Sequence, residues 1–312
     1  MTNKNAFGQE IPRMWEILSD DSLRNYIERT LATVLGHLGA ENSENVAGRI
    51  VELNARRNRR GYELLAHNIL HDSGISEEQV AEALSGRAEM VYRQIRPFIK
   101  GHRVLDFGCG DGKIGARLAQ DGYDVTLADV YKNSNIDTLG LEFIGFGQGQ
   151  ELPDKKKYDT TLLLTVLHHS DNPIKTLETA VDRTRDDGRV IVIESVYGVG
   201  PHIGDPTWSH ASTQITDNFK QLSPEQQRRS NIFFDHFYNR VVHYSPLPRE
   251  KVNVPFNFRQ PLLQVDPIEL LEEGWINLFH RAGLKPAGRF EYLGIDQPVV
   301  PEYHTLHVLD KL

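Results

Sequence analysis

The sequence predicts an α/β protein with a doubly wound, mostly parallel sheet and a helical segment ahead of it. Three observations carry this. From about residue 102, short apolar runs alternate with helical stretches. Residues 1 to about 98 show helical periodicity and almost no strand signal. The first apolar run ends in a glycine-rich turn, Gly108-Cys109-Gly110-Asp111-Gly112. Each parallel crossover needs a covering element, so alternation of this kind implies a sheet with helices on both faces.

In chain order, the first helix is read over Leu23 to Leu38. Leu23, Tyr26, Ile27, Leu31, Val34, Leu35 and Leu38 recur at three-and-four spacing, which lines one helix face. Ser22 or Asp20 is positioned to cap it. Further helices are expected at about 44–71 and 76–97; Ser76 before Glu77, Glu78 and Gln79 is a helix-start signal, and Pro97 closes the last one. The cluster Arg56, Arg57, Arg59, Arg60 reads as a solvated helix face rather than an anion site. Strands are expected at 103–107, 124–128, 158–164 and 189–194, with helices near 113–121 and 172–184. Residues 198–268 are rich in Pro, His and aromatics and too long for a simple connection, so they read as a cap or lid inserted into the sheet domain. A helix through Trp275, Ile276, Leu278 and Phe279, stopped by Gly283, precedes strands at 286–294 and 303–309 that form a terminal antiparallel hairpin. The expected domains are therefore a helical segment, 1–98, and a sheet domain, 99–312, carrying the cap.

Composition narrows the function classes. The 312 residues are 39% hydrophobic and 25% charged, as in an ordinary globular protein able to bury a large core. With 35 basic against 43 acidic residues the net charge is −8, which offers no electrostatic footprint for nucleic acid or an anionic membrane. No apolar run approaches the roughly 20 residues that span a bilayer, and the N-terminal stretch lacks a signal-peptide core. One cysteine cannot form an intramolecular bridge. A cytoplasmic location follows as the expectation, with a small-molecule substrate, no nucleic acid or membrane partner, and a monomer or homodimer.

The strongest local signal is VLDFGCGDG at 104–112, a buried strand running into a glycine turn and then a helix. Glycines let the backbone approach a ligand and adopt positive φ, and the helix amides beyond favour a negative group. A nucleotide-like ligand fits. Asp106 lies at the end of the first strand, where a carboxylate can face an ammonium, and Asp129 ends the next strand, where an acid can accept from two ribose hydroxyls. Cys109 reads as a small loop residue, not a nucleophile or metal ligand.

With these residues in place the chain resembles the class I S-adenosylmethionine-dependent methyltransferases. The resemblance rests on VLDFGCGDG at 104–112, VTLADV at 125–130, GQGQELP at 147–153, YDTTLLLTVLHH at 158–169, RDDGRVIVIESV at 185–196 and GWINLFHRAGL at 274–284. It implies a Rossmann-like, seven-stranded sheet and S-adenosyl-L-methionine as cofactor. It also implies that Asp106, Gly108, Cys109 and Gly110 hold the methionine part and that Asp129 holds the ribose. Val130, Gln148, Gly149, Thr165 and His168 complete the implied cofactor set, and Leu152 helps to line the adenine pocket. Gln148 stands where many relatives carry Asp; its amide oxygen can still accept from the adenine amino group. Of the pair His168 and His169, the resemblance turns one toward the cofactor and the other, His169, toward the acceptor; packing and backbone hydrogen bonding are equally open to both.

Methyl transfer from a sulfonium is an in-line displacement, in which alignment and desolvation contribute more than a general base does. Acceptor-side candidates therefore lie in the cap. In FFDHFYNRVVHY, helical spacing brings Asp235, Tyr238 and Asn239 to one face near Phe234 and Phe237, and His236 adds a titratable group. The alternative is that the aromatics pack the lid and the polar residues cap it. Metal binding by His236, His243 and His304 or His307 matches no closed zinc spacing, so no metal is expected. The expected function is methyl transfer to an oxygen or nitrogen of a small metabolite in a specialised biosynthetic pathway. Two alternatives stand beside it: an NAD(P)-dependent oxidoreductase, whose pyrophosphate turn needs a later third glycine, and a non-catalytic S-adenosylmethionine-binding protein.

Overall fold

The computed structural model describes residues 10–56, 62–76, 85–147, 152–153, 155–198, 217–237, 256–257, 274–293 and 303–312. Two compact units emerge, one made of 1–86, 197–262 and 296–302, the other of 87–196, 263–295 and 303–312. Residues 1–86 of the expected N-terminal helical segment and most of the expected cap thus fall into a single unit, whereas 87–98 belong to the other.

In that first unit the helices are α1 (Met14–Ile17), α2 (Asp21–His37), α3 (Ser43–Ala55) and α4 (Tyr62–Asp72). Asp20 is the cap of α2, its carboxylate accepting from the Leu23 N–H at 3.0 Å. The single helix expected at 44–71 is instead two: α3 ends where Arg56 turns to extended backbone (φ −75°, ψ 138°). The apolar stripe of α2, Leu23, Ile27, Leu31, Val34 and Leu35, is fully buried against Val46, Ala47, Ile50 and Val51 of α3 and Ala66, Ile69 and Leu70 of α4. Ile232, Phe233, Phe234 and Phe237, which belong to a later helix described below, close the same core.

The second unit opens with α5 (Ser85–Ile95), and Pro97 sits in the short 3-10 turn that follows it. Then come β1 (Arg103–Phe107), α6 (Lys113–Gln120), β2 (Asp124–Asp129), β3 (Glu142–Gly145), β4 (Tyr158–Leu164), α7 (Pro173–Arg183) and β5 (Thr184–Gly198). The helix α8 (Pro224–Phe237) and the two-residue β6 (Phe256–Asn257) belong to the first unit; α9 (Trp275–Arg281), β7 (Leu284–Leu293) and β8 (Tyr303–Lys311) return to the second.

Seven strands lie in the order β3-β2-β1-β4-β5-β8-β7, with β6 pairing the end of β5 outside this path. Strands β3 through β5 run parallel, whereas β8 pairs antiparallel with both β5 and β7. This is the mostly parallel, doubly wound sheet that the alternation of elements predicts, with the seven strands and Rossmann-like form that the resemblance implies. Because the chain winds outward from β1 in one direction and from β4 in the other, right-handed crossovers put α6 and α7 on opposite faces. The strand order reverses between β1 and β4, and ligands of such sheets lie beyond the carboxyl ends of the strands at that point. On one face Val104, Val125, Leu127, Leu162, Ile191, Ile193 and Leu306 pack against Val91, Tyr92 and Ile95 of α5 and Leu118 of α6. Every second residue of these strands points there, the period of a pleated sheet.

Candidate active site

The glycine turn is folded onto the tip of β2. Ala128 C=O accepts from the N–H groups of Gly108 (2.7 Å) and Cys109 (3.2 Å), and the Asp129 carboxylate accepts from Gly110 N–H (2.8 Å) and Tyr131 N–H (3.1 Å). Gly108, Gly110 and Gly112 all have positive φ (82°, 56° and 70°), which favours glycine at each. Their surroundings differ. A Cβ at Gly108 would come within 2.4 Å of a Val166 methyl, and one at Gly112 within 2.8 Å of Ile136 and Leu139. At Gly110 a Cβ would meet nothing within 4 Å. The turn is therefore locked on two sides and open on the third. Asn135 adds a brace, its Nδ2 donating to Asp111 C=O at 2.6 Å.

Asp106 is the unusual group of this turn. Its side chain is buried, 2% exposed, and Oδ2 has no donor in hydrogen-bonding geometry among the described residues. Burial first, and then the negative Asp129, push its carboxyl up to about 7; the backbone N–H of Gly115 offsets this only in part. A buried carboxylate without a cation is costly, and a cation placed against it would remove the penalty. Immediately after Asp129, Val130 is 44% exposed and Tyr131 is exposed as well, an apolar surface beside a polar one. Cys109 is half-buried, and burial together with Asp106 and Asp129 pushes its thiol far up, which favours the protonated form.

The carboxyl end of β4 supplies the second wall. Thr165 has φ 61°, an outlier for a β-branched residue with a typical cost of about 1–3 kcal/mol. Its N–H donates to Ile193 C=O at 2.7 Å and its hydroxyl to Leu164 C=O at 2.6 Å. His168 is 1% exposed; its Nδ1 lies 2.5 Å from Oε2 of the equally buried Glu194. His169 is half-buried and its ring lies 4.1 Å from that of His168, centroid to centroid.

The structure thus gathers Asp106, Gly108, Cys109, Gly110, Asp129, Val130, Thr165, His168 and His169 at the carboxyl ends of β1, β2 and β4. His236 lies elsewhere in the chain, buried on α8 in the helical unit, where Phe233, Phe234 and Phe237 are core residues. Asp235 is also on α8, while Gln148, Gly149, Tyr238, Asn239 and His243 lie outside the described residues. Leu152 is buried and its C=O accepts from Arg183 Nη2 at 2.9 Å. Glu194, Asn135, Val166 and Arg183 are the supporting residues that sequence reasoning missed. An acid inside the apolar run RVIVIES was the one available signal, since a buried carboxylate needs donors. Among the described residues no group of three or more His, Cys, Asp or Glu side chains is placed to hold a metal ion.

The sheet is doubly wound, and at its switch point the glycine turn and an acid on each of two adjoining strand tips come together, at the place where ligands of such sheets lie. Residues 78–202 match the family described as a methyltransferase domain. Among curated proteins, the chain is similar to the ubiquinone biosynthesis O-methyltransferase of Rickettsia typhi (strain ATCC VR-144 / Wilmington), 34% identical over 98 residues, covering 29% of this chain and 39% of that one. The protein of the same description from Rickettsia felis (strain ATCC VR-1525 / URRWXCal2) is 32% identical over 137 residues, covering 39% of this chain and 55% of that one. The chain therefore spans about two fifths to just over half the length of these relatives. Among solved structures, a Burkholderia thailandensis 1,6-didemethyltoxoflavin-N1-methyltransferase is 16% identical with a TM-score of 0.43, covering 82% of this chain and 91% of that one.

Proposed function

We propose that this protein transfers a methyl group from S-adenosylmethionine to an oxygen of a small metabolite. The observation that carries the cofactor half is the buried Asp106 carboxylate, whose Oδ2 has no donor in hydrogen-bonding geometry among the described residues, on the strand that leads into a glycine turn open at Gly110. A cationic, nucleoside-bearing ligand suits that arrangement. Asp106 would face its ammonium group and Asp129 its ribose hydroxyls, the latter with lone pairs to spare beyond its two backbone donors. Val130 and Tyr131 offer the exposed apolar surface against which a base can lie. When bound, S-adenosylmethionine supplies an electrophilic methyl group and a neutral thioether leaving group.

The chain's own contribution is mainly positional. The turn fixes the nucleoside end, and the β4 edge, with Thr165, His168 and His169, stands across the switch point from it. His169, the less buried of the two imidazoles, is assigned the acceptor side, where a neutral ring can take a hydroxyl proton. Oxygen is preferred over nitrogen as the acceptor atom because the curated relatives named above are O-methyltransferases. The Asp106 carboxylate, when ionised, disfavours a dinucleotide, because it would repel a pyrophosphate bound at the glycine turn.

The test is incubation of the purified protein with methyl-labelled S-adenosylmethionine and a panel of phenols, carboxylic acids and amines, followed by mass spectrometry. Label is expected on a hydroxyl or carboxyl oxygen of at least one compound. Label confined to amines would overturn the choice of oxygen, and retention of S-adenosylmethionine with no labelled product would favour a binding protein.

A further inference from the structure

Glu194 is fully buried in β5, inside an apolar run, and its role is not explained by the sheet. It does not stand alone. Oε1 accepts from the backbone N–H groups of Val166 (2.9 Å) and Leu167 (2.5 Å), while Oε2 lies 2.5 Å from His168 Nδ1. Three consecutive residues of the turn after β4 are thus held by one carboxylate. With Oε1 already accepting from two backbone N–H groups, an ionised carboxylate, which only accepts, would call for the imidazole proton on Nδ1 and leave the lone pair on Nε2.

The turn so held is the one that meets the glycine turn. Val166, whose N–H Glu194 holds, fills the space that a Cβ on Gly108 would need. Thr165, one residue earlier, keeps its left-handed backbone while its N–H bonds to Ile193, the residue before Glu194. A strained residue persists only where its surroundings over-determine it. Here β5 does so from both sides, through the Ile193 carbonyl and the Glu194 carboxylate.

We propose that Glu194 is a positioning residue of this site: its carboxylate holds the 165–168 turn in the shape that abuts the glycine turn and fixes His168 as the Nδ1–H tautomer. This rests on the reading that the glycine turn holds the cofactor. Glu194 touches no reacting atom itself, and it acts through Val166 and His168.

Two substitutions separate its two tasks. In Glu194→Gln the amide oxygen can still accept from Val166 and Leu167, but the NH₂ group must donate to His168 Nδ1, driving the ring proton to Nε2. In Glu194→Ala both tasks are lost. Ring-¹⁵N-histidine NMR on the full chain, with His168→Gln for assignment, reads the tautomer; calorimetry with S-adenosylhomocysteine reads the turn. The expected result is an Nδ1–H signal in the wild type that becomes Nε2–H in Glu194→Gln. Affinity for S-adenosylhomocysteine is expected to stay within threefold of wild type in Glu194→Gln and to fall at least tenfold in Glu194→Ala.

An Nε2–H tautomer in the wild type, an unswitched signal in Glu194→Gln, or wild-type affinity in a folded Glu194→Ala would overturn it. Should Glu194→Ala not fold, the Glu194→Gln tautomer decides. Should the wild type bind no S-adenosylhomocysteine, the cofactor reading falls, and the wild-type tautomer still decides on Glu194.

Discussion

Asp106 shows at the scale of one residue how a site can be built against the stability of its own fold. Its carboxyl is raised from the ordinary aspartate range to about 7 by burial and by Asp129. Between about pH 4 and 7 the unfolded chain has therefore given up a proton that the folded chain keeps. Stability falls as pH rises through that window and levels off above it, by roughly 4 kcal/mol at most. Replacing Asp106 by Asn removes this cost. Chemical denaturation at pH 8 without cofactor should find Asp106→Asn more stable than wild type, and a less stable variant would show that the buried carboxylate is satisfied in some other way. Both acids were legible in the sequence because they end consecutive strands around a glycine turn. Glu194 was not: its three partners stand 26 to 28 residues earlier, and only the parallel register of β4 on β5 brings them together.

At the scale of elements, the interlock between the glycine turn and the end of β4 makes a sharper prediction than conformational freedom alone. Gly108→Ala puts a Cβ 2.4 Å from Val166 at a φ of 82°, whereas Gly110→Ala at φ 56° meets open space. Urea unfolding should show Gly110→Ala losing about 1 kcal/mol and Gly108→Ala about 2 kcal/mol or more. Adding Val166→Ala should restore part of the second loss, with a coupling of at least about 0.5 kcal/mol. Equal losses for the two glycines, with no coupling, would contradict the interlock. The periodic elements were readable: α2, the four central strands and the terminal hairpin all carry sustained spacing. The strand β3 was not foreseen, since Glu142-Phe143-Ile144-Gly145 is too short to show a period. The start of β5 was also missed, because Arg185-Asp186-Asp187-Gly188 reads as a turn yet lies inside the strand, beside a register shift between Tyr158 and Thr160.

For the whole molecule, the doubly wound fold class follows from the alternation of elements, whereas the strand order, and with it the switch point, comes from the structure. The division into units was less so. The aromatic run Phe233, Phe234 and Phe237 carries helical spacing that is equally consistent with a ligand-facing lid and with a core, and burial against α2, α3 and α4 chooses the core. Apolar spacing specifies that a face is covered, not what covers it. A similar point holds for His307. As a histidine near the end of the chain it invited a metal role, but it is buried against Phe279 with its Nε2 2.8 Å from the Thr305 hydroxyl, and burial lowers its pKa to about 3. It is a buried core residue of the terminal hairpin, and burial favours its neutral form.

The central claim, that the glycine turn with its two acids grips an ammonium-bearing nucleoside, is tested most directly by calorimetric titration of S-adenosylhomocysteine into wild type and Asp106→Asn between pH 6 and 8. Wild-type affinity should rise with pH, by up to about tenfold per unit below about 7 and less above it, as Asp106 gives up its proton. In Asp106→Asn the affinity should be at least tenfold weaker at pH 8 and nearly independent of pH. Tight, pH-independent binding by Asp106→Asn, or uptake of NAD by the wild type in place of S-adenosylhomocysteine, would contradict the account.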